Sequence, residues 1–224
     1  MLLLQFSTSH YCRKARLMLG FKGIPYDVEN LTPGLHLVRL KPLTGLTTVP
    51  VLCPSGTADG EAIADSTAIA QYLDQHYPDP PLLLGDPEGD RQVQWLEDWL
   101  DESIGVATRF VYYDYRAQDG KHLDTSWVNG LVIQLVCRQY NINAAAVRLA
   151  RQRLDLALNQ VLTPWQTGPF LVGDRYTLAD LTAAALLAPL AIVPPYLEQY
   201  PWLWERIAAV HQHCGELLPP RVHD

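Results

Sequence analysis

Residues 7–19 read STSHYCRKARLML, and they follow the short apolar run LLLQF of residues 2–6. An apolar run, then a serine, then an apolar-periodic segment predicts a β-strand followed directly by an α-helix. Ser9 and Cys12 stand three positions apart, which is the spacing of a CxxC redox pair whose first cysteine has become serine. The stretch therefore has three interpretations: a nucleophile site, a thiol-binding site, or a capped helix.

Strand and helix signals alternate along residues 1–77. Gly20 and Gly23 predict the end of the first helix, and PYDVEN predicts a second strand. TPGLHLVRLKPL predicts a helix with Thr32 as N-cap and Pro33 at its first position, ending near Pro42. VPVLCP and GEAIA predict two short strands, and DSTAIAQYLDQHY predicts a capped helix. The order β-α-β-α-β-β-α predicts a small α/β domain.

The rest of the chain has helical signals only. Residues 78–88 are rich in proline and glycine, which predicts a linker between two domains. Residues 89–224 predict an all-α domain, with its first long helix at RQVQWLEDWLDESIGVATRFVYY. The apolar stretch LADLTAAALLAPLAIVPPYL contains Asp180 and three prolines, so it predicts a buried core helix that breaks near its end and not a membrane span.

Charge and cysteine usage exclude several classes of protein. A net charge of -7 argues against a general nucleic-acid binder, which needs a basic face. The four cysteines are scattered without metal-ligand spacing, which predicts a reducing compartment and no metal site. The N-terminus lacks the basic segment and the long apolar stretch of a signal peptide. We therefore expect a cytoplasmic protein with no membrane association.

Three short features have the character of a binding site when they are taken together. Ser9 stands at a helix start, where unpaired N–H groups and a partial positive charge stabilise a thiolate. Pro50 opens a strand in TTVPVL, and a cis bond there would turn the backbone of Val49 toward an extended, peptide-like ligand. Asp65 and Ser66 begin a helix whose N–H groups can bind a carboxylate. Each feature alone is also compatible with an ordinary cap or a strand-opening proline.

The order of these motifs resembles that of the soluble glutathione transferases along the whole chain. The motifs that carry the resemblance are SHYCRKAR, TTVPVL, ADSTAIAQYL and PFLVGDRYTLADLTAAALL, the last with Thr177 and Asp180 as a capping box. The resemblance implies a thioredoxin-like domain over residues 1–77, a linker over 78–88 and a helical domain over 89–224. It also implies a cytoplasmic detoxification enzyme, a homodimer, and glutathione as co-substrate with a small hydrophobic electrophile.

The resemblance also implies roles for single residues. Ser9 matches the serine that activates the glutathione sulfur. Val49 matches the residue whose backbone pairs with the cysteinyl part of glutathione, and Pro50 matches the cis-proline of the family. Asp65 and Ser66 match the pair that holds the γ-glutamyl end.

Two positions are less determined by the resemblance. LKPLTGLTTVP is two residues longer than the family pattern, so His36, Lys41 and Thr48 are all candidates to bind the glycyl end, with Lys41 as our choice. Ser7 is a rival to Ser9, since a shift of two positions would exchange them.

The electrophile pocket is expected between the two domains, along the first long helix of the second. The run TRFVYYDYR offers Phe110, Tyr112, Tyr113 and Tyr115, whose rings can line an apolar pocket. We place Phe110 and Tyr113 in that pocket together with His10, whose other interpretation is a solvated loop residue.

Two alternative functions stay open. Cys12 would serve a glutathione-dependent thiol transferase, reductase or peroxidase if its thiol were reactive, although it should lie about one turn inside the helix, turned inward. A non-catalytic binding module with the same fold is the other alternative.

Overall fold

The computed structural model describes residues 1–57, 60–123 and 127–218. Within these residues one mixed sheet has the strand order β2-β1-β3-β4, in which β2 is parallel to β1 and the other pairings are antiparallel. The strands are β1 (Leu2–Gln5), β2 (Asp27–Asn30), β3 (Val51–Cys53) and β4 (Ile63–Ala64). The predicted strands are therefore confirmed, and β1 and β3 form the buried centre of the sheet.

Three helices alternate with these strands: α1 (His10–Phe21), α2 (His36–Thr44) and α3 (Ser66–His76). The order is the predicted β-α-β-α-β-β-α arrangement. The helix α1 connects the parallel strands β1 and β2, as a crossover helix does in a βαβ unit.

The first turn of α2 differs from the expectation. Thr32 and Pro33 do not begin the helix, because Gly34 has a φ of 90°, a left-handed conformation that no helical residue adopts. The helix starts two residues later, at His36, and passes through Pro42 to Thr44. Gly45, with a φ of 74°, ends it.

Gly20 does not end α1, contrary to the prediction. The helix continues to Phe21, and Gly23, with a φ of 62°, follows its end. Gly20 faces the C-terminal end of the described chain, where a Cβ atom would stand 2.0 Å from the carbonyl oxygen of Cys214. Glycine at position 20 therefore serves close packing between two distant parts of the chain.

The second half of the described chain is helical, as predicted. A π-helical turn at Leu100–Ile104 joins α4 to α5, so the predicted long helix is continuous. The sequence interpretation missed α6 and the two short helices α8 and α10. The helices are α4 (Pro87–Trp99), α5 (Gly105–Ala117), α6 (Trp127–Gln139), α7 (Ala144–Leu156), α8 (Pro164–Thr167), α9 (Leu178–Leu187), α10 (Pro194–Gln199) and α11 (Pro201–His213).

The helix α9 is the centre of the core. All ten of its residues are buried, and it packs against α1, α4 and α11. The predicted capping box is present: the Thr177 backbone N–H and hydroxyl both donate to Asp180 Oδ2, at 2.9 and 3.1 Å. The other carboxylate oxygen of Asp180 accepts from Trp165 Nε1 at 2.9 Å and from Leu171 N at 2.7 Å.

The residues that follow α11 lie against α1. Arg16 Nε donates to Glu216 Oε1 at 2.8 Å, and Arg13 Nη1 donates to the carbonyl oxygen of Leu217 at 3.0 Å. These bonds hold α1 against the segment that follows α11. In the described part of the chain, no helix is both long and apolar enough to cross a membrane.

Candidate functional site

One edge of the sheet collects the residues that the sequence singled out. Leu4 in β1 is paired with Val51 in β3, which is paired with Ala64 in β4. The next residues along these strands therefore come together: the turn that leads to Ser9, Pro50 before β3, and Asp65 after β4. The Asp65 N–H donates to the carbonyl oxygen of Pro50 at 3.3 Å, which closes this edge.

Ser9 is the N-cap of α1. Its backbone is extended, and its Oγ accepts a hydrogen bond from Cys12 N at 3.4 Å. Ser9 is half-buried, whereas Ser7 is exposed. The structure therefore places Ser9, and not Ser7, at the positive end of the helix.

Cys12 lies inside the first turn of α1 and is fully buried. Burial raises the pKa of its thiol, and hydrogen bonding to Ser9 and Phe6 opposes that shift. A buried thiol with a raised pKa is a poor nucleophile at neutral pH.

The peptide bond between Val49 and Pro50 is cis. Val49 lies two residues before β3, so its N–H and C=O stand outside the strand pairing. They are placed at the same edge as Ser9 and Asp65, where an extended ligand could pair with them.

Asp65 and Ser66 form the start of α3. Asp65 has a φ of 82°, and its Oδ1 accepts from Thr67 N at 2.8 Å and from Ala68 N at 3.2 Å. Ser66 is only 2% exposed, and its hydroxyl has no hydrogen-bond partner among the residues that the structure describes. A buried hydroxyl without a partner costs about 1–3 kcal/mol. Its position at a helix start is suited to an anionic ligand.

A buried charge cluster lies beneath this helix start. Lys14, with 0% exposure, donates to Glu97 Oε1 at 2.5 Å and to Asp101 Oδ1 at 2.9 Å. Thr67, in the first turn of α3, donates to the same Glu97 oxygen at 2.6 Å. Burial raises the pKa of Asp101, and Lys14 opposes the shift. The cluster connects α1, α3 and α4.

The three candidates for the glycyl end occupy different places. Lys41 is exposed and lines an open groove on α2 with Leu37 and Val38. Thr48 is also exposed. The His36 ring packs edge-on against Phe6, with ring centroids 4.9 Å apart. His36 is therefore the candidate that contacts the turn leading to Ser9.

His10 is 7% exposed, so its interpretation as a solvated loop residue is wrong. It is the first residue of α1, and its Nε2 donates to the carbonyl oxygen of Gly105 at 3.1 Å. Burial lowers the pKa of His10 to about 3, with the positive charge of Arg109 adding to the effect. The ring is therefore neutral at physiological pH, and it fixes the start of α1 against α5.

The helix α5 turns a polar and aromatic face toward the start of α1. Tyr11 donates its hydroxyl to the carbonyl oxygen of Asp101 at 2.8 Å. The Arg109 guanidinium lies 5.3 Å from the Tyr11 ring centroid and 4.7 Å from that of Tyr140. Tyr113 is half-buried, and burial raises its pKa to about 12. The sequence interpretation missed Arg109, although it stands within the aromatic run that predicted this surface.

Phe110 is half-buried and packs against the main core. The two pocket residues predicted on α5 therefore have different surroundings, since Tyr113 lies near Arg109 and Phe110 is packed with apolar core residues.

Comparison with known proteins identifies the family. The N-terminal domain model of glutathione S-transferases matches residues 3–81, and the C-terminal domain model matches residues 130–208. The stringent starvation protein A homolog of Pasteurella multocida is 31% identical over 187 residues, which cover 84% of this chain and 73% of that protein. The chain belongs to the glutathione S-transferase family.

Further relatives and solved structures are similar to this chain over most of its length. FtsZ-localized protein A of Caulobacter vibrioides is 27% identical over 198 residues, covering 85% of this chain and 75% of its own length. A solved glutathione S-transferase of Methylobacterium radiotolerans, in complex with glutathione sulfonate, has a TM-score of 0.72 at 22% identity, with 97% of this chain and 94% of that chain covered. The solved FzlA of C. crescentus has a TM-score of 0.71 at 22% identity, covering 99% and 96%. The thioredoxin-like first half and the helical second half are thereby confirmed as the family fold.

Proposed function

We propose that this chain binds glutathione at the sheet edge and conjugates it, through its thiolate sulfur, to small hydrophobic electrophiles. The observation that carries the proposal is the buried hydroxyl of Ser66, which lacks a partner among the described residues at the start of α3. A buried hydroxyl without a hydrogen-bond partner lowers the stability of the fold, and a ligand that bonds to it would remove that cost. The related solved enzyme of Methylobacterium radiotolerans, crystallised with glutathione sulfonate, supports glutathione as that ligand.

The γ-glutamyl end of glutathione carries a carboxylate and an ammonium group. The Ser66 hydroxyl suits the carboxylate at this helix start, where Thr67 N and Ala68 N already donate to Asp65. Asp65 uses only its Oδ1 for the helix cap, which leaves Oδ2 for the ammonium. The peptide part would pair with the backbone of Val49, next to the cis-proline Pro50.

Ser9 is proposed to hold the glutathione sulfur as a thiolate. Its Oγ accepts from Cys12 N, and its hydroxyl hydrogen is donated to the strongest acceptor nearby, which would be a thiolate once glutathione is bound. A hydrogen bond to a charged group contributes roughly 1.5–3 kcal/mol, and the helix start up to ~2 kcal/mol. Lowering a thiol pKa by about two units requires ~2.7 kcal/mol. The two contributions together are sufficient without a general base.

Lys41 and His36 are the two candidates to bind the glycyl carboxylate, and a different observation supports each. Lys41 supplies a positive charge from the exposed side of α2. His36 is closer to the sulfur site through its contact with Phe6. A homodimer and a cytoplasmic location remain predictions from the family resemblance.

Replacement of Ser9 by alanine tests the proposal. We expect Ser9→Ala to lower kcat at least tenfold with an aryl halide electrophile, because the thiolate loses its hydrogen-bond donor, while glutathione affinity changes little. Calorimetry measures the affinity, and a pH titration of turnover measures the pKa of bound glutathione, which should rise. Ser7→Ala, at an exposed serine two residues earlier, is the matched control and should keep full turnover. Unchanged turnover in Ser9→Ala would remove this residue from the mechanism.

A binding module without catalysis is the second candidate function, and the names of two similar proteins support it. They are named for FtsZ localisation and for stringent starvation, and not for transferase activity. Glutathione binding separates the two functions, because a module that had lost the chemistry need not bind glutathione. The thiol-exchange alternative has less support, since Cys12 is fully buried and its pKa is raised.

A further inference from the structure

Arg109 is a half-buried cation without an anionic partner in the described chain. Among the described residues it forms no ion pair and donates no hydrogen bond, and its contacts are the rings of Tyr11 and Tyr140. By contrast, the buried Arg16 donates to Glu216 at 2.8 Å and to Gln5 at 2.6 Å, and the half-buried Arg206 donates to the carbonyl oxygen of Trp165 at 2.7 Å. Aromatic rings attract the charge of a guanidinium but do not satisfy its five N–H donors.

The position of Arg109 relates it to the proposed sulfur site. Gly105, Arg109 and Tyr113 follow one another at intervals of four, so they share one face of α5. This face is held to the start of α1, because Gly105 accepts from His10 and the Tyr11 ring lies under the guanidinium. His10 and Tyr11 directly follow Ser9 in the chain. The cation therefore stands beside the helix start that would hold the thiolate.

The charge of Arg109 affects the pKa values of the groups around it. It adds to the lowering of the pKa of His10 and opposes the rise in the pKa of Tyr11 and Tyr113 that burial causes. Although the chain as a whole carries a net charge of -7, this surface presents a half-buried cation. Tyrosine rings around one guanidinium form a surface that suits a flat, apolar ligand with an anionic group at one end.

We propose that Arg109 makes this a site for electrophiles that carry a carboxylate. The carboxylate binds the guanidinium, and the apolar body of the substrate lies along Tyr11 and Tyr113. This inference rests on the proposed glutathione transfer. With an aryl chloride such as 4-chloro-3,5-dinitrobenzoate, the glutathione sulfur forms a bond to the ring carbon, and chloride leaves with the electron pair of the carbon–chlorine bond. The carboxylate takes no part in the bond exchange and serves only to position the ring.

A matched pair of glutathione conjugates tests the proposal without requiring turnover. S-(4-carboxybenzyl)glutathione and S-(4-carbamoylbenzyl)glutathione differ in charge and have nearly the same shape. Calorimetry should show that the wild-type protein binds the carboxylate about tenfold more tightly than the amide, as a charge-assisted hydrogen bond provides. Arg109→Gln should bring the ratio of the two affinities close to one. Arg148→Gln removes the same charge from an exposed position on α7 and should keep the wild-type ratio.

The outcomes separate the two proposals. If Arg109→Gln weakens both conjugates equally, or if the wild-type ratio is already one, Arg109 only holds α1 against α5 and the inference is overturned. If neither conjugate binds to the folded wild-type protein, the glutathione site itself is contradicted, and the inference falls with it. A thermal melt of each variant verifies that the folded protein is being measured.

Discussion

Two serines begin helices at the same edge of the sheet, and they differ in how their hydroxyls are used. Ser9 Oγ already accepts a hydrogen bond from Cys12 N, whereas the Ser66 hydroxyl is buried and lacks a partner in the described chain. The first serine therefore contributes to the stability of its helix in the absence of a ligand. The second carries a desolvation cost that a bound ligand would remove.

This difference predicts opposite effects of Ser66→Ala on stability and on binding. Removing a buried, unsatisfied hydroxyl should leave the melting temperature unchanged or raise it. Glutathione affinity, measured by calorimetry, should fall about tenfold, because a hydrogen bond to a carboxylate contributes roughly 1.5–3 kcal/mol. Ser55→Ala, at an exposed serine whose hydroxyl donates to the carbonyl oxygen of Thr57, should leave glutathione affinity unchanged. A clear loss of stability in Ser66→Ala would show that its hydroxyl is satisfied in the free protein.

At the scale of elements, Asp180 determines how α9 begins. Its carboxylate accepts from Thr177 within its own helix start, and from Leu171 and Trp165 outside it. Burial raises the pKa of this carboxyl, and the four hydrogen bonds oppose that shift. One side chain thus fixes the helix start, the preceding loop and the indole that packs beside it.

Asp180→Ala should lower the free energy of unfolding by more than about 3 kcal/mol. The loss exceeds that of an ordinary cap, about 0.5–2 kcal/mol, because the buried N–H groups of Leu171 and Trp165 would also lose their acceptor. Denaturant unfolding measures the change. Asp174→Ala, at an exposed acid in the same loop, should stay within about 0.5 kcal/mol of wild type. Similar losses in the two variants would contradict the role given to the Asp180 hydrogen bonds.

The sequence predicted the elements whose signals are local. Ser9, Asp65 and the pair Thr177 and Asp180 were recognised because a cap depends on residues within one turn. The start of α2 was misplaced because a proline at a first helical position is a strong signal, and the left-handed Gly34 overrides it. The thioredoxin-like fold and the roles of the site residues follow from the family resemblance more than from any single motif.

The features that the sequence could not predict depend on contacts between distant residues. Lys14 looks like an ordinary helix-surface lysine until α4 brings Glu97 and Asp101 against it. Arg109 could not be distinguished from its neighbours without the phase of α5 and the position of Tyr140. Such clusters require the tertiary structure, because nothing in their local sequence differs from a solvated face.

At the scale of the whole molecule, the buried cluster of Lys14, Glu97 and Asp101 joins the two halves of the chain. One lysine faces two carboxylates, and a hydroxyl of Thr67 adds a hydrogen bond from α3. Breaking a buried pair by removing one partner is costly because the remaining charge stays in a medium of low polarity. The stability of the contact between the two halves therefore depends strongly on Lys14, because its one charge neutralises two buried carboxylates.

Lys14→Met should destabilise the protein by about 3–5 kcal/mol at neutral pH, since two carboxylates would remain buried without their cation. Burial already raises the pKa of Asp101, and loss of Lys14 would raise it further. A carboxyl with a raised pKa in the folded state costs stability above that pKa, and the cost disappears as the pH falls through it. The deficit relative to wild type should therefore shrink as the pH falls from neutral toward the ordinary pKa of a carboxyl group, as measured by denaturant unfolding.

Lys121→Met is the control for this prediction, because Lys121 is exposed. It should change stability by no more than about 0.5 kcal/mol and show no added dependence on pH. A deficit in Lys14→Met that stays constant over this pH range would mean that lost packing, and not unpaired charge, is its cause.

The contact between α1 and the residues after α11 affects the order in which parts of the chain reach their final packing. Arg16 and Glu216, 200 positions apart, share a hydrogen bond, and Gly20 leaves room only for the carbonyl of Cys214. Because α1 is translated before α11, it cannot complete these contacts until residues 214–217 have been synthesised. Contacts between residues 200 positions apart form late in folding, so the helix that follows Ser9 reaches its final packing only after a long stretch of chain has been added.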